Sequence, residues 1–201
     1  MASRPTREEA ESLLLWAEQQ NPGPWVSHSR NVARAAEAIA AKCNLDSDKA
    51  YISGLLHDVG RYEGVSGMHH IYSGYELLTK KGYSSLAEIC LTHSFPYQSI
   101  NEYFGDNDCS PTETEIIIGF LKSKKYNDYD RLIQLCDAIA SAEGICLLEV
   151  RVMDVIRRYG TTPLTKEKIE ASFALKKYFD SLCGINIYDL FYDEIRDVSF
   201  R

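Results

Sequence analysis

GLLHDVGR, residues 54–61, sets Leu55 and Leu56 directly against an ionisable pair, His57 and Asp58, and then breaks the run with Gly60. Leu55, Leu56 and Val59 read as belonging to a buried helix, where an unpaired carboxylate would cost on the order of several kcal/mol. Asp58 therefore needs a cation beside it. Asp137 is in the same position in RLIQLCDAIAS, where Leu132, Ile133, Leu135, Cys136, Ala138, Ile139 and Ala140 leave almost no solvated face. Two apolar helices that each carry one carboxylate point to a helical fold built around a shared cation.

Working outward, helical signals follow one another with few strand signals. The spacing predicts helices near 6–20, 27–43, 48–59, 69–81, 85–94, 112–124, 129–143, 145–159, 165–182 and 186–196. Thr6 with Glu9, Ser85 with Glu88, and Ser110 with Glu113 have the spacing of capping boxes, the last with Pro111 at the favoured first position. Breakers fall at Asn21 to Pro24, Gly60, Gly64 to Gly67, Gly82, Gly105 to Pro111, Gly160 to Pro163 and Gly184. In NVARAAEAIAA (31–41), Val32, Ala35, Ala36, Ile39 and Ala40 form one apolar stripe, and His28 shares its phase. With no internal repeat and no dividing linker, the expectation is an all-α fold in one domain spanning residues 1–201.

A hydrophobic fraction of 45% over 201 residues is enough for a full core. The net charge of −7 argues against a basic face for a nucleic-acid polymer or an anionic membrane, so neither is an expected partner. The start, MASRPTREEAESLLLW, has no long apolar core after its arginines, and no run is long enough to span a bilayer. That reads as a cytoplasmic protein. Six cysteines, Cys43, Cys90, Cys109, Cys136, Cys146 and Cys183, are scattered without a C-x-x-C pair. They are expected as small buried hydrophobes in a reducing compartment, rather than as disulfides or a zinc knot.

The cation for Asp58 and Asp137 has two sources: an arginine such as Arg30, Arg34 or Arg61, or a metal ion. One aspartate alone would be satisfied by a salt bridge. Two, with an adjoining histidine and further histidines on apolar helices, are better explained by one shared site. All five histidines, His28, His57, His69, His70 and His93, lie in the first half of the chain. Imidazole with carboxylate suits iron, manganese, cobalt, nickel or zinc, whereas magnesium prefers oxygen alone.

In order, these residues resemble the HD superfamily of metal-dependent phosphohydrolases, whose pattern is a histidine, a His-Asp dyad and a late aspartate on helices. Here the pattern reads His28, His57-Asp58, Asp137, and H-D-V-G-R looks like the branch with two intervening histidines. Those would be His70, which precedes Gly74 in HIYSGYELL, and His93 at the end of ICLTH; His69 remains the alternative to His70. The resemblance covers about residues 25–142, leaving a helical extension at about 145–201. It implies one or two divalent ions, iron or manganese first. His28, His57, Asp58 and Asp137 would hold one, and Asp58 would bridge to another held by His70 and His93.

The implied reaction is hydrolysis of a phosphoester or phosphoanhydride in a small phosphorylated substrate, a nucleotide or dinucleotide, with catalytic roles for Asp58 and Arg61. Arg61 could clamp a phosphate in a fork geometry, or serve as a partner for Asp58. The chain lacks both the acidic residues after the dyad that mark one nucleotide-hydrolase branch and the Gly-Tyr-Pro signature of the cyclic-dinucleotide branch. Two other classes fit the same ligand order: a di-iron oxygenase, and a non-catalytic sensor of nucleotide or metal. Trp25 reads as a core staple or a base-stacking ring. Residues beyond about 145 could complete the core, cap the site or pair with a second subunit in a homodimer.

Overall fold

The computed structural model describes residues 4–199; residues 1–3, where the start read above begins, and 200–201 lie outside it. The fold is all-α. Within the described residues, ten α-helices follow in chain order: α1 (Arg7–Gln20), α2 (Pro24–Lys42), α3 (Ser47–Leu56), α4 (His69–Lys80), α5 (Ser84–Thr92), α6 (Pro111–Ser123), α7 (Asp128–Ile139), α8 (Leu148–Tyr159), α9 (Thr165–Cys183) and α10 (Tyr192–Ser199). Short 3₁₀ turns stand at Val59–Glu63, Ile100–Glu102 and Ile187–Phe191. Among the described residues extended pairing is confined to one isolated bridge, between Ala140 and Ile145.

The helix starts follow local chemistry. Thr6 and Glu9 cap α1 reciprocally, as do Ser110 and Glu113 for α6, with Pro111 at its first position. Asn127 and Asp130 do the same for α7. The expected Ser85–Glu88 box does not form, because Ser85 is already inside α5 and Glu88 pairs with Lys124. Pro24 opens α2 instead of breaking the chain before it. Trp25 is a core staple: it is buried, and its Nε1–H donates to Asn21 O at 2.9 Å.

Among the described residues, three apolar clusters fill the interior. In the largest, the stripe Val32, Ala35, Ala36, Ile39 and Ala40 of α2 packs on Leu132, Ile133, Cys136 and Ile139 of α7. Phe179 of α9, Ile187, Phe191 and Ile195 of α10 join the same cluster, so the C-terminal helices complete this core. A second cluster joins Leu14 of α1, Trp25, Leu55, Leu56 and Cys90. The third joins Met68, Ile71, Leu91, Phe95, Ile117 and Leu121. Glu194 of α10 ties both sides together, accepting from Arg34 at 2.8 and 2.5 Å and from the Ile145 N–H at 2.8 Å.

Two further expectations are corrected here. Cys43 and Cys183 form a disulfide across a sequence separation of 140. Each sits at the C-terminal end of its helix, α2 or α9, and the packing of those ends brings the Cα atoms to 4.6 Å, a meeting that wide spacing in sequence conceals. The helices drawn at 129–143 and 145–159 are cut back to 139 and 148, because Ser141 to Gly144 form a turn closed by Ser141 N–H to Gly144 O.

Candidate metal centre

The helix expected over 48–59 ends at Leu56. His57 follows as its C-cap, Asp58 leaves the helical path, and a 3₁₀ turn continues to Glu63. Gly60 causes this by close approach. A Cβ there would lie 2.0 Å from the His70 carbonyl oxygen and 2.3 Å from the Gly74 nitrogen. The absent side chain lets the turn lie flat on α4, which puts His70 beside Asp58. Gly54 has the same role within α3, where a Cβ would meet Ala33 of α2 at 2.7 Å.

Three histidines share one local device. His57 Nδ1 is 2.6 Å from Gly54 O, His70 Nδ1 is 2.6 Å from Gly67 O, and His93 Nδ1 is 2.9 Å from Cys90 O. A carbonyl only accepts, so each Nδ1 carries the proton and each Nε2 presents a lone pair. His57 and His93 are the C-caps of α3 and α5, and His70 stands in the first turn of α4. The end of α5 is held in turn by α7, where Gln134 Nε2 donates to Thr92 O and Asp130 accepts from Thr92 Oγ1.

These lone pairs converge on a carboxylate. Asp58 Oδ1 lies 3.1 Å from His70 Nε2 and 3.4 Å from His93 Nε2, and Oδ2 lies 3.9 Å from His57 Nε2. Both sides of each contact are hydrogen-bond acceptors, so neither satisfies the other. His57 Nε2 and Asp58 Oδ1 are indeed buried without a hydrogen-bond partner. Arg61 answers only half of the charge: its Nε donates to Asp58 Oδ2 at 2.6 Å.

The other two residues lie within helices, His28 in the second turn of α2 and Asp137 in the last turn of α7. His28 of α2 and Asp137 of α7 meet at 2.9 Å, Nε2 to Oδ1, with His57 Nε2 at 3.9 Å from the same oxygen. Asp137 keeps 25% of its side chain exposed, more than the apolar sequence around it implies. Two groups of donors therefore share His57: His28, His57 and Asp137 on one side, His57, Asp58 and His93 on the other, each with ligand atoms within 4.8 Å of one another. All six sequence-selected residues are brought together. His69 is not among them; it turns to Glu63 and Glu113.

Electrostatics keep the donors in ligand form. Burial pushes His57 down to about 4 and lowers His70, with Arg61 adding to the effect on His70. Burial alone would raise Asp58, but the Arg61 guanidinium beside it, the strongest of the opposing influences, holds it well below the usual carboxylate range. Burial likewise opposes Asp137, and the contact with His28, together with His57 and His93, outweighs it, again leaving a strongly lowered value.

Three neighbours of the centre carry no sequence signal of their own. Tyr103 is packed near His70, ring centres 6.5 Å apart. Glu102 is fully buried and accepts the N–H groups of Tyr97 and Ser99, which folds the segment leaving His93; burial raises it to about 7. Lys168 of α9 donates to Ser94 O at 2.7 Å. Neither periodicity nor spacing marks them; Lys168 is 75 positions from His93. Beside Tyr103 opens a cavity of about 400 Å³, lined by Ile100, Gly105 and Asn107 together with Thr162 and Leu164 of the α8–α9 connection.

The HD domain family matches residues 25–142. A stretch of 55 residues is 42% identical to Ribonuclease Y of Chlorobaculum tepidum; it makes up 27% of this chain and 10% of that relative. The chain thus spans about a tenth of the curated relative it matches. In three dimensions, the crystal structure of the L. monocytogenes phosphodiesterase PgpH HD domain aligns over 89% of this chain and 96% of that one, with 16% identity and a TM-score of 0.46.

Proposed function

The chain belongs to the HD-domain family of metal-dependent phosphohydrolases, and from that premise we propose that it hydrolyses a phosphoester or phosphoanhydride bond of a small phosphorylated molecule, a nucleotide or dinucleotide. The observation that carries this reading is the convergence of histidine lone pairs on an ionised, half-satisfied Asp58. Acceptors facing acceptors in a buried site require a cation between them. In this reading His28, His57, Asp58 and Asp137 would hold one divalent ion, and His70 and His93 with Asp58 another; iron or manganese suits the mixed nitrogen and oxygen donors. When bound, such ions supply charge neutralisation at phosphoryl oxygens and a nucleophile from water near neutral pH.

The remaining work falls to this chain's own residues. The backbone carbonyls of Gly54, Gly67 and Cys90 keep three imidazoles turned to the centre. Arg61, already against Asp58, is placed to shift one fork of its guanidinium to a substrate phosphate, a geometry that lysine would not reproduce. The 400 Å³ cavity beside Tyr103 is of a size for the non-reacting portion of a small ligand, and part of its lining comes from the C-terminal extension.

The test is metal content of protein purified without chelator, together with phosphate release from a panel of mono- and dinucleotides with manganese added. Bound metal and turnover in the wild type, with turnover lost and the metal content lowered in Asp58→Ala and Asp137→Ala, is the expected result. A folded protein that takes up no transition metal under these conditions overturns the reading. Turnover that consumes oxygen would transfer it to the oxygenase class, and metal binding with no turnover of any phosphoester to the sensor class.

A further inference from the structure

A second group of metal-ligating side chains lies outside this centre. His69 is the first residue of α4, Cys109 stands in the loop before α6, and Glu113 lies in the first turn of α6. Each offers one ligand atom, and the three atoms lie within 4.8 Å of one another. Neighbouring helix positions point about 100° apart, so His69 faces this group while His70 faces Asp58.

The lone-pair argument of the first centre applies to the imidazole here, while the Glu113 oxygen facing it also accepts the Ser110 N–H of the α6 capping box at 2.7 Å. His69 Nε2 is 3.0 Å from Glu63 Oε2, which makes Nε2 the protonated nitrogen when the ring is neutral. Nδ1 then presents a lone pair to a Glu113 carboxylate oxygen at 3.5 Å. Glu63 is itself held by the hydroxyls of Tyr62 and Ser73, so the histidine is oriented from behind by an anchored carboxylate, as metal-binding histidines commonly are. The loop is registered on α4 independently of these donors: both Asp108 oxygens accept backbone N–H groups, of Gly67 and His69, at 2.7 Å each, and Met68 N–H donates to Asp106 O at 3.0 Å.

We propose that His69, Cys109 and Glu113 form a second, separate site for a zinc-class divalent cation, which fastens the 105–110 loop to the start of α4. Thiolate with imidazole and carboxylate selects zinc, or cobalt as its probe, over magnesium and calcium. Tetrahedral bonding to zinc sets donor atoms about 3.3–3.6 Å apart, so a small closure from the present spacing completes the site, with a fourth position open. Gly105 and Asn107 of the same loop line the cavity beside Tyr103. The cation would therefore stiffen a wall of that cavity without touching Asp58.

The two centres differ in one chemical respect that an experiment can use: among their donors, sulfur belongs to the second alone. Cobalt(II) added to the whole chain is expected to produce the near-ultraviolet thiolate charge-transfer band, bleached when zinc displaces it. Cys109→Ser abolishes the band and one equivalent of bound metal, Asp58→Ala leaves it in place, and Glu63→Gln weakens zinc at this site by about 10-fold to 100-fold. The Asp58→Ala result keeps the proposal separate from the hydrolase reading. Cobalt bound to the wild type with no thiolate band overturns it, as does a band that survives Cys109→Ser. Should Cys109→Ser fail to fold, alkylation of the wild type decides: stoichiometric zinc must slow modification of Cys109, mapped by mass, and an unchanged rate overturns the site.

Discussion

Helix ends and helix interiors supply the candidate centre in two different ways. His57 and His93 cap α3 and α5, and their rings are set by a carbonyl three residues back. His28 and Asp137 sit inside α2 and α7, 109 positions apart, and are aligned by each other at 2.9 Å. A helix end has free carbonyls to orient an imidazole; around His28 the turn has already used its own, and its Nδ1 is buried without a partner. The ends are thus locally organised, whereas the interior pair exists only once α2 and α7 have packed.

The largest expected effect removes the group that both kinds of ligand share. Asp58→Ala should lower turnover by roughly 1,000-fold or more, since several kcal/mol of charge stabilisation go with the ions, and metal analysis should show both equivalents lost. Retention of half the metal would mean that the interior pair binds without the ends. Gly60→Ala comes next. Its Cβ has no room against α4, so unfolding in urea should show a loss of about 1–3 kcal/mol or more, and the metal on the His70 and His93 side should weaken.

Asp137→Asn tests the interior pair alone. One equivalent of metal should go, while nitrogen NMR of the metal-free variant still finds His57, His70 and His93 protonated on Nδ1. A change of tautomer at these three would erase the distinction between locally set ends and a packed interior. Arg61→Lys should keep the metal and lower kcat/KM about 10-fold to 100-fold, because the fork geometry is lost while the charge remains.

The last prediction concerns stability rather than turnover, in the segment that leaves the end of α5. Glu102 is raised by burial to about 7 from an ordinary 4.5, so the folded protein binds its proton more tightly than the unfolded chain does. That contribution is fully present below pH 4.5 and is lost as pH rises through about 7, on the order of 3 kcal/mol in all. Glu102→Gln should flatten this region of the stability profile, measured by urea unfolding from pH 4.5 to 8. A profile unchanged by the substitution would assign the dependence to other groups.

Much of this is legible in the chain, and what is legible is local. The α2 stripe follows from 3.6-residue spacing, and the capping boxes of α1 and α6 from contacts three residues apart. The His-Asp dyad stands out because its neighbours are apolar. Between His69 and His70, which share one helix start, the sequence favours His70 only through its place four residues before Gly74; the approach of Gly60 to α4 separates them by turning His70 to Asp58. The Cys43–Cys183 bond and the bridge that shortens α7 and α8 are hidden for a related reason, as each depends on which segments come to lie side by side.

By itself, then, the sequence determined an all-helical chain, most of its helix starts and an ordered set of nitrogen and oxygen donors, because periodicity, capping and the carbonyl behind a histidine act within about four residues. Only the tertiary structure decided that His28 reaches Asp137, that Lys168 of α9 braces the segment after His93, and that Cys109 and Glu113 come to His69. Those meetings depend on how apolar faces share one interior, a condition on the whole chain that no short stretch of it carries.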